Sequence, residues 1–125
     1  MLPITVTNEV ELAACPIRNV VVPLTGKWRP LILLSLEDGP QRFSAIKRLI
    51  GDITQRVLTE NLRQLERDGY ISRSVIERKT IEVHYELMPR GQEAVDCLKP
   101  LISWAVDHCD AVKVSRNAYD AQIEY

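Results

Sequence analysis

A chain of 125 residues has room for one domain, or for one domain with short arms. Its 16 basic and 17 acidic residues leave a net charge of -1, which excludes the strongly cationic make-up of histone-like proteins. A hydrophobic fraction of 46% with 26% charged residues excludes a disordered chain and fits a folded globular one.

Three segments are expected: an arm over residues 1–14, a domain over 15–112 and a tail over 113–125. The arm begins Leu2-Pro3-Ile4-Thr5-Val6-Thr7, short and β-prone. It carries Glu9 and no basic residue before position 11, so a signal or transit peptide is not expected. No run of about 18 apolar residues occurs, so no membrane span is expected and a cytoplasmic protein is the default. Cys15-Pro16 opens a short helix that ends near Pro23, with Thr25-Gly26 as a stop. Pro30 sits in the first turn of the next helix, whose run Leu31-Ile32-Leu33-Leu34 is apolar nearly all round and predicts a central core helix. Asp38-Gly39-Pro40 terminates it.

Phe43, Ile46, Leu49 and Ile50 then fit a short amphipathic helix, and Gly51-Asp52-Ile53 a tight turn. Thr54 is a good N-cap for a longer helix running to about Asp68, with Val57, Leu58, Leu62 and Leu65 as its buried stripe and Gly69 as its closing residue. Short helix, glycine turn and longer helix form a helix-turn-helix pattern. Tyr70 to Glu77 and Ile81 to Leu87 alternate as a hairpin with Arg78-Lys79-Thr80 at its tip. A last helix from about Gly91 to His108 carries Val95, Leu98, Ile102, Ala105 and Cys109 on one face and should kink at Pro100. The tail has only weak periodicity. The fold class is therefore mainly α with a small β hairpin, a winged helix-turn-helix.

Charge follows this layout. Between Arg42 and Thr80 the basic residues exceed the acidic ones by four (Arg42, Lys47, Arg48, Arg56, Arg63, Arg67, Arg73, Arg78 and Lys79 against Asp52, Glu60, Glu66, Asp68 and Glu77), so the flanks carry the compensating acid. A helix of this kind fits the major groove of duplex DNA. With its apolar stripe inward, the longer helix must present Gln55, Arg56, Thr59, Glu60 and Arg63 outward. Arg56 and Arg63 can donate to guanine or phosphate, Gln55 can pair with adenine, and Thr59 can meet a thymine methyl or a phosphate. Arg42, Ser44 and Lys47 are placed to hold the DNA backbone, with Thr54 at the start of the reading helix and Arg78 and Lys79 at the wing tip. The bland alternatives are intrahelical pairing of Arg63 and Arg67 with Glu60, Glu66 or Asp68, and edge protection by a charged hairpin tip.

Enzyme chemistry finds no support. There is no P-loop, no GxGxxG and no HExxH, so no cofactor is expected. Neighbouring His108 and Cys109 point about 100° apart on a helix, which disfavours a dyad. Cys15, Cys97 and Cys109 lack zinc-ligand spacing, so no metal is expected, and reduced thiols are the base reading. Cys15 stands out because a helix N-terminus with Arg18 one turn on would favour its thiolate; a buried, inert cysteine is the equal alternative.

Cys15-Pro16, Gly26-Lys27-Trp28, Gly39-Pro40-Gln41-Arg42-Phe43-Ser44, the block Leu58-Thr59-Glu60-Asn61-Leu62-Arg63 through Gly69, and Tyr85-Glu86-Leu87 keep an order and spacing that resemble the HxlR family of bacterial transcription regulators. The resemblance covers roughly Cys15 to Trp104; Pro23 and Pro30 beside the Gly-Lys-Trp block, and a wing without a leading proline pair, depart from the family pattern. It implies a homodimer packed through the first and last helices, bound to an inverted repeat whose half-sites lie about 34–36 Å apart or a multiple of that. It also implies that a cysteine at the place of Cys15 can serve as a redox or aldehyde sensor; a small-molecule effector stays open. The competing reading is a winged-helix module for protein–protein assembly, which would make the outer helix face apolar or acidic. Trp28 and Trp104 are expected in a core or an interface.

Overall fold

The structure is a computed structural model and describes residues 14–123. The β-prone arm expected at the N-terminus falls, apart from Ala14, outside the described residues. The chain divides into two compact units, Met1–Val95 and Asp96–Tyr125.

The first unit opens with a π-helical turn, Ile17–Val21, running into a single α-helical turn, α1 (Val22–Leu24). The sequence predicts an ordinary short helix here, and Pro23 explains the difference. It has no N–H for the Asn19 carbonyl and its ring crowds that oxygen, so the turn before it widens and the Val22 N–H donates to the Ile17 carbonyl. Helix α2 (Arg29–Ser35) starts with Pro30 in its first turn, where a missing N–H does no harm. Ile32 and Leu33 are its buried side chains, and Leu36 just past its end is buried with them. Leu31 on the same run is 45% exposed, so α2 is buried along one side and not all round as its composition predicts.

Gln41 and Arg42 form a two-residue strand, β1, and Phe43–Ile50 the first helix of the pair, α3. Ile46 is its buried anchor, whereas Leu49 stands 63% exposed. Gly51 takes φ of 92°, a left-handed conformation that favours glycine, and its N–H closes the helix on the Lys47 carbonyl. Ile53, fully buried, pins the turn.

Helix α4 (Gln55–Arg67) has the cap, the length and the closing glycine that the sequence predicts, but Val57 of the predicted buried stripe is only half-buried. Thr54 is extended and its hydroxyl accepts the Val57 N–H at 3.2 Å, a cap that stabilises the helix by about 1 kcal/mol. Leu58, Leu62 and Leu65 are buried with Ile32, Leu33 and Ile46 in the core of this unit. At the far end the Tyr70 N–H donates to the Leu65 carbonyl and the Gly69 N–H to Glu66, a Schellman closure with Gly69 at φ of 83°. Asp68 beside it pairs with Arg29 at 3.4 Å.

Strands β2 (Ile71–Glu77) and β3 (Ile81–Leu87) form the hairpin, and β1 adds to the outer edge of β3, giving an antiparallel sheet in the order β1-β3-β2. The third strand is an addition to the predicted hairpin. The Met88 N–H returns to the Tyr70 carbonyl, and Gly91 lies so close to that carbonyl that any Cβ at this position would collide with it.

Helix α5 spans Pro89–Gln122 and continues through Pro100 and most of the predicted tail. Its first turns contribute the buried Ala94 and Val95 to the first unit. On the predicted apolar face, Val95 and Leu98 are buried and Ile102 half-buried, while Ala105 and Cys109 are exposed. In the second unit Leu101, Trp104, Val112 and Tyr119 are exposed along one stripe of the helix.

Candidate nucleic-acid interface

The stripe of leucines that anchors α4 determines what its other side presents. Gln55, Arg56, Thr59, Glu60 and Arg63 are exposed and together line a shallow concavity of about 540 Å³. These are the five residues that helical periodicity puts outward. The proposed reading helix thus offers two cations, one amide, one hydroxyl and one carboxylate on a single surface.

Internal bonds decide what these groups have left to give. The Thr59 hydroxyl donates to the Gln55 carbonyl at 2.8 Å, so its proton is taken and its methyl and oxygen lone pairs are what it has left to offer. The Thr54 hydroxyl oxygen accepts in the cap, which leaves its own proton to give. The alternatives weighed for the arginines resolve differently. Arg67 donates to the Gln64 amide oxygen at 3.3 Å, and Asp68 is taken by Arg29. The side chains of Arg56 and Arg63 make no ion pair or hydrogen bond among the described residues.

The remaining candidates lie off this face. Ser44 is exposed and Lys47 half-buried on α3, and Arg78 and Lys79 are exposed at the hairpin tip. Arg42 sits opposite His84 in the sheet, 4.0 Å from the Glu82 carboxylate. Glu82 also meets His84, Oε2 to Nε2, at 3.1 Å. The His84 hydrogen bond holds the Glu82 carboxyl below its ordinary value against an opposing effect of desolvation, and the charges of Arg42 and Arg78 add to the lowering. Arg42 is thus held beside a carboxylate, and it lines neither concavity beside α4.

Two residues outside the predicted set join the surface. Arg73 and Tyr85, paired across β2 and β3, line a second concavity with Thr59, Arg63 and Glu66. The signal for them was present: a three-residue tip at positions 78–80 makes Glu77 face Ile81, and counting back makes Arg73 face Tyr85.

Cys15 is buried, 5% exposed, just ahead of the π-helical turn, and its carbonyl accepts both the backbone N–H and the side-chain amide of Asn19. Cys97 and Cys109 are exposed on α5. Trp28 is half-buried at the start of α2 with the Lys27 ammonium 4.6 Å from its ring centroid. Trp104 is 56% exposed and stacks on His108 with centroids 4.2 Å apart. No helix among the described residues is long and apolar enough to cross a membrane.

A capped helix with a polar outer face, a glycine turn before it and a three-stranded wing after it define a winged helix-turn-helix transcriptional regulator. Residues 23–113 match the HxlR-like helix-turn-helix family, and the chain belongs to it. It is 41% identical over 90 residues to an HTH-type transcriptional regulator of Methanothermobacter thermautotrophicus, covering 72% of this chain and 69% of that one. It is 34% identical over 113 residues to the HTH-type regulator YdeP of Bacillus subtilis, covering 88% of each. The solved structure of the redox regulator HypR in its oxidised form superposes with a TM-score of 0.70 at 31% identity, over 74% of this chain and 96% of that one.

Proposed function

We propose that this regulator reads a specific duplex DNA site by laying α4 in the major groove, as a homodimer on an inverted repeat. The observation that carries the reading is the outer face of α4, where Gln55, Arg56, Thr59, Glu60 and Arg63 share one exposed surface with no apolar side chain among them. The N-terminal members, Gln55, Arg56 and Thr59, lie nearest the bases in such docking, and Arg56 is unencumbered for a guanine edge. Ser44 and Lys47 on α3, with Arg42, Thr54, Arg78 and Lys79, supply backbone contacts; Arg42 is exposed and lies 4.0 Å from the Glu82 carboxylate. An assembly module would carry an apolar or acidic face here, and this face is neither.

Dimerisation is supported by the stripe of Leu101, Trp104, Val112 and Tyr119, a length of apolar helix that stays exposed in a single copy. A response to oxidants or electrophiles through Cys15 is supported by the likeness to a redox regulator. Because Cys15 is buried, reaction requires the short N-terminal helical segment to open.

Selection of bound sequences from a random duplex pool tests the reading. A recovered inverted repeat is the expected outcome. Arg56→Ala should then weaken binding to that site by about tenfold or more, with a much smaller loss on random duplex. Equal losses on both would make Arg56 a phosphate contact, and no enrichment of any sequence would refute specific reading.

A further inference from the structure

The second concavity, of about 330 Å³, lies between α4 and the wing and is bounded by Thr59, Arg63, Glu66, Arg73 and Tyr85. We propose that it seats one backbone phosphate of duplex DNA, clasped by Arg63 and Arg73 with the Tyr85 hydroxyl as a further donor. This rests on the DNA-binding reading above. It assigns Arg63 to the backbone, and it makes Arg73 and Tyr85 DNA contacts.

Strand alternation places the charges. Arg73 faces Tyr85 across the β2–β3 ladder, so both side chains leave the sheet on one side, the side that meets α4. Glu82, His84 and Glu86 alternate to the other side. The wing therefore turns a guanidinium and a phenol toward α4 and keeps two of its carboxylates away. Arg63 and Arg73 have no ion pair and Tyr85 no side-chain hydrogen bond among the described residues, so the donors are unclaimed. A guanidinium matches a phosphate with two parallel hydrogen bonds, which suits this recess better than a flat base edge does.

The shape of DNA makes the same point. The sugar–phosphate backbone is the ridge between the major and the minor groove. With α4 in the major groove and the wing tip reaching toward the adjacent minor groove, that ridge must cross the hollow between them. Thr59 and Arg63 line both concavities, so the base-reading surface and the hollow are continuous. Glu66 shares the hollow and opposes an anion, which restricts the phosphate to the arginine side.

The test compares the wild-type chain, Arg73→Ala, Arg73→Lys and Glu66→Gln on a generic duplex across a salt series, by fluorescence anisotropy. Arg73→Ala should weaken binding roughly tenfold at low salt, equally on every sequence, and flatten the slope of log K against log salt by about 0.9, the share of one phosphate. Arg73→Lys should restore the slope, and Glu66→Gln should tighten binding a few-fold. A wild-type chain that binds while Arg73→Ala keeps its full slope would overturn the phosphate seat and leave the DNA reading standing. A loss confined to particular sequences would also overturn it, by making Arg73 a base contact. A wild-type chain that binds no duplex would overturn the DNA reading and the seat with it. Arg73 is exposed, and an unchanged thermal midpoint verifies that its variants fold.

Discussion

Thr59 donates its hydroxyl proton to the Gln55 carbonyl, so on the DNA-binding reading proposed above it has no proton left for a phosphate. A methyl group can rest on the methyl of a thymine; lone pairs cannot hold a phosphate. Thr59→Val keeps the methyl and should bind the selected site within about twofold of the wild type. Thr59→Ser discards it and should lose about fourfold, the worth of one buried methyl. Titration of both variants on the same duplex checks the order, and a weaker valine variant would return the role to the hydroxyl. Cys15 is a second case where surroundings decide. Cys97 and Cys109 are exposed and Cys15 is not, so an alkylating reagent should label them first in the native protein. Cys15→Ser should nevertheless abolish any effect of diamide on DNA binding, measured as affinity before and after treatment. An undiminished response in that variant would move sensing elsewhere.

Among the elements, the wing carries a cluster that crosses strands. Glu82 accepts from His84 and lies near Arg42, so it links β3 to β1. Its carboxyl is held below the ordinary value of 4.5, so its stabilising contribution is complete above that pH and is lost as pH falls through the lower folded value. Glu82→Gln should remove this part of the acid sensitivity: the thermal midpoint of the wild type should fall more steeply below about pH 4.5 than that of the variant. Parallel curves would show that the cluster contributes nothing. Element α4 was legible in the sequence because each of its signals is local: the Thr54 cap, leucines at spacings of three and four, and a glycine to end it. Strand β1 was not, since two residues carry no periodicity and its pairing depends on the far side of the sheet. Leu31 and Leu49 misled for another reason. Periodicity marks a side chain as apolar, but only the packing shows whether anything covers it. The outer face of α4 was readable as the complement of its buried stripe, whereas Arg73 and Tyr85 needed a strand register.

At the scale of the molecule, near-neutrality is the sum of unlike regions. The helix-turn-helix and wing carry the excess of basic charge, and the flanks the acid. Such a chain has a weak long-range pull on DNA and relies on contact geometry. The tail of α5 was hard to read because amphipathic periodicity arises where a helix packs on its own domain, and here Leu101, Trp104, Val112 and Tyr119 are exposed. If they meet a second copy, Trp104→Asp should place a carboxylate in the contact and shift the species in sedimentation from dimer toward monomer. It should raise the alkylation rate of Cys109, which shares a hollow with Trp104. An unchanged sedimentation profile would locate the dimer contact elsewhere, and a monomeric wild type would remove the dimer altogether.

Tyr70 is the joint of the first unit. Its N–H closes α4, its carbonyl receives Met88 after β3, and Gly91 in the first turn of α5 presses on that same oxygen. The residue leads directly into β2, so helix and wing are joined through the two peptide groups that flank one residue. If α4 and the wing each meet a groove of the same duplex, as proposed above, this joint makes the gap between the two contacts a property of the protein. On that reading a duplex whose groove width or twist differs from the gap would have to deform to fit, and sequences that deform easily should be preferred at base pairs that no side chain touches.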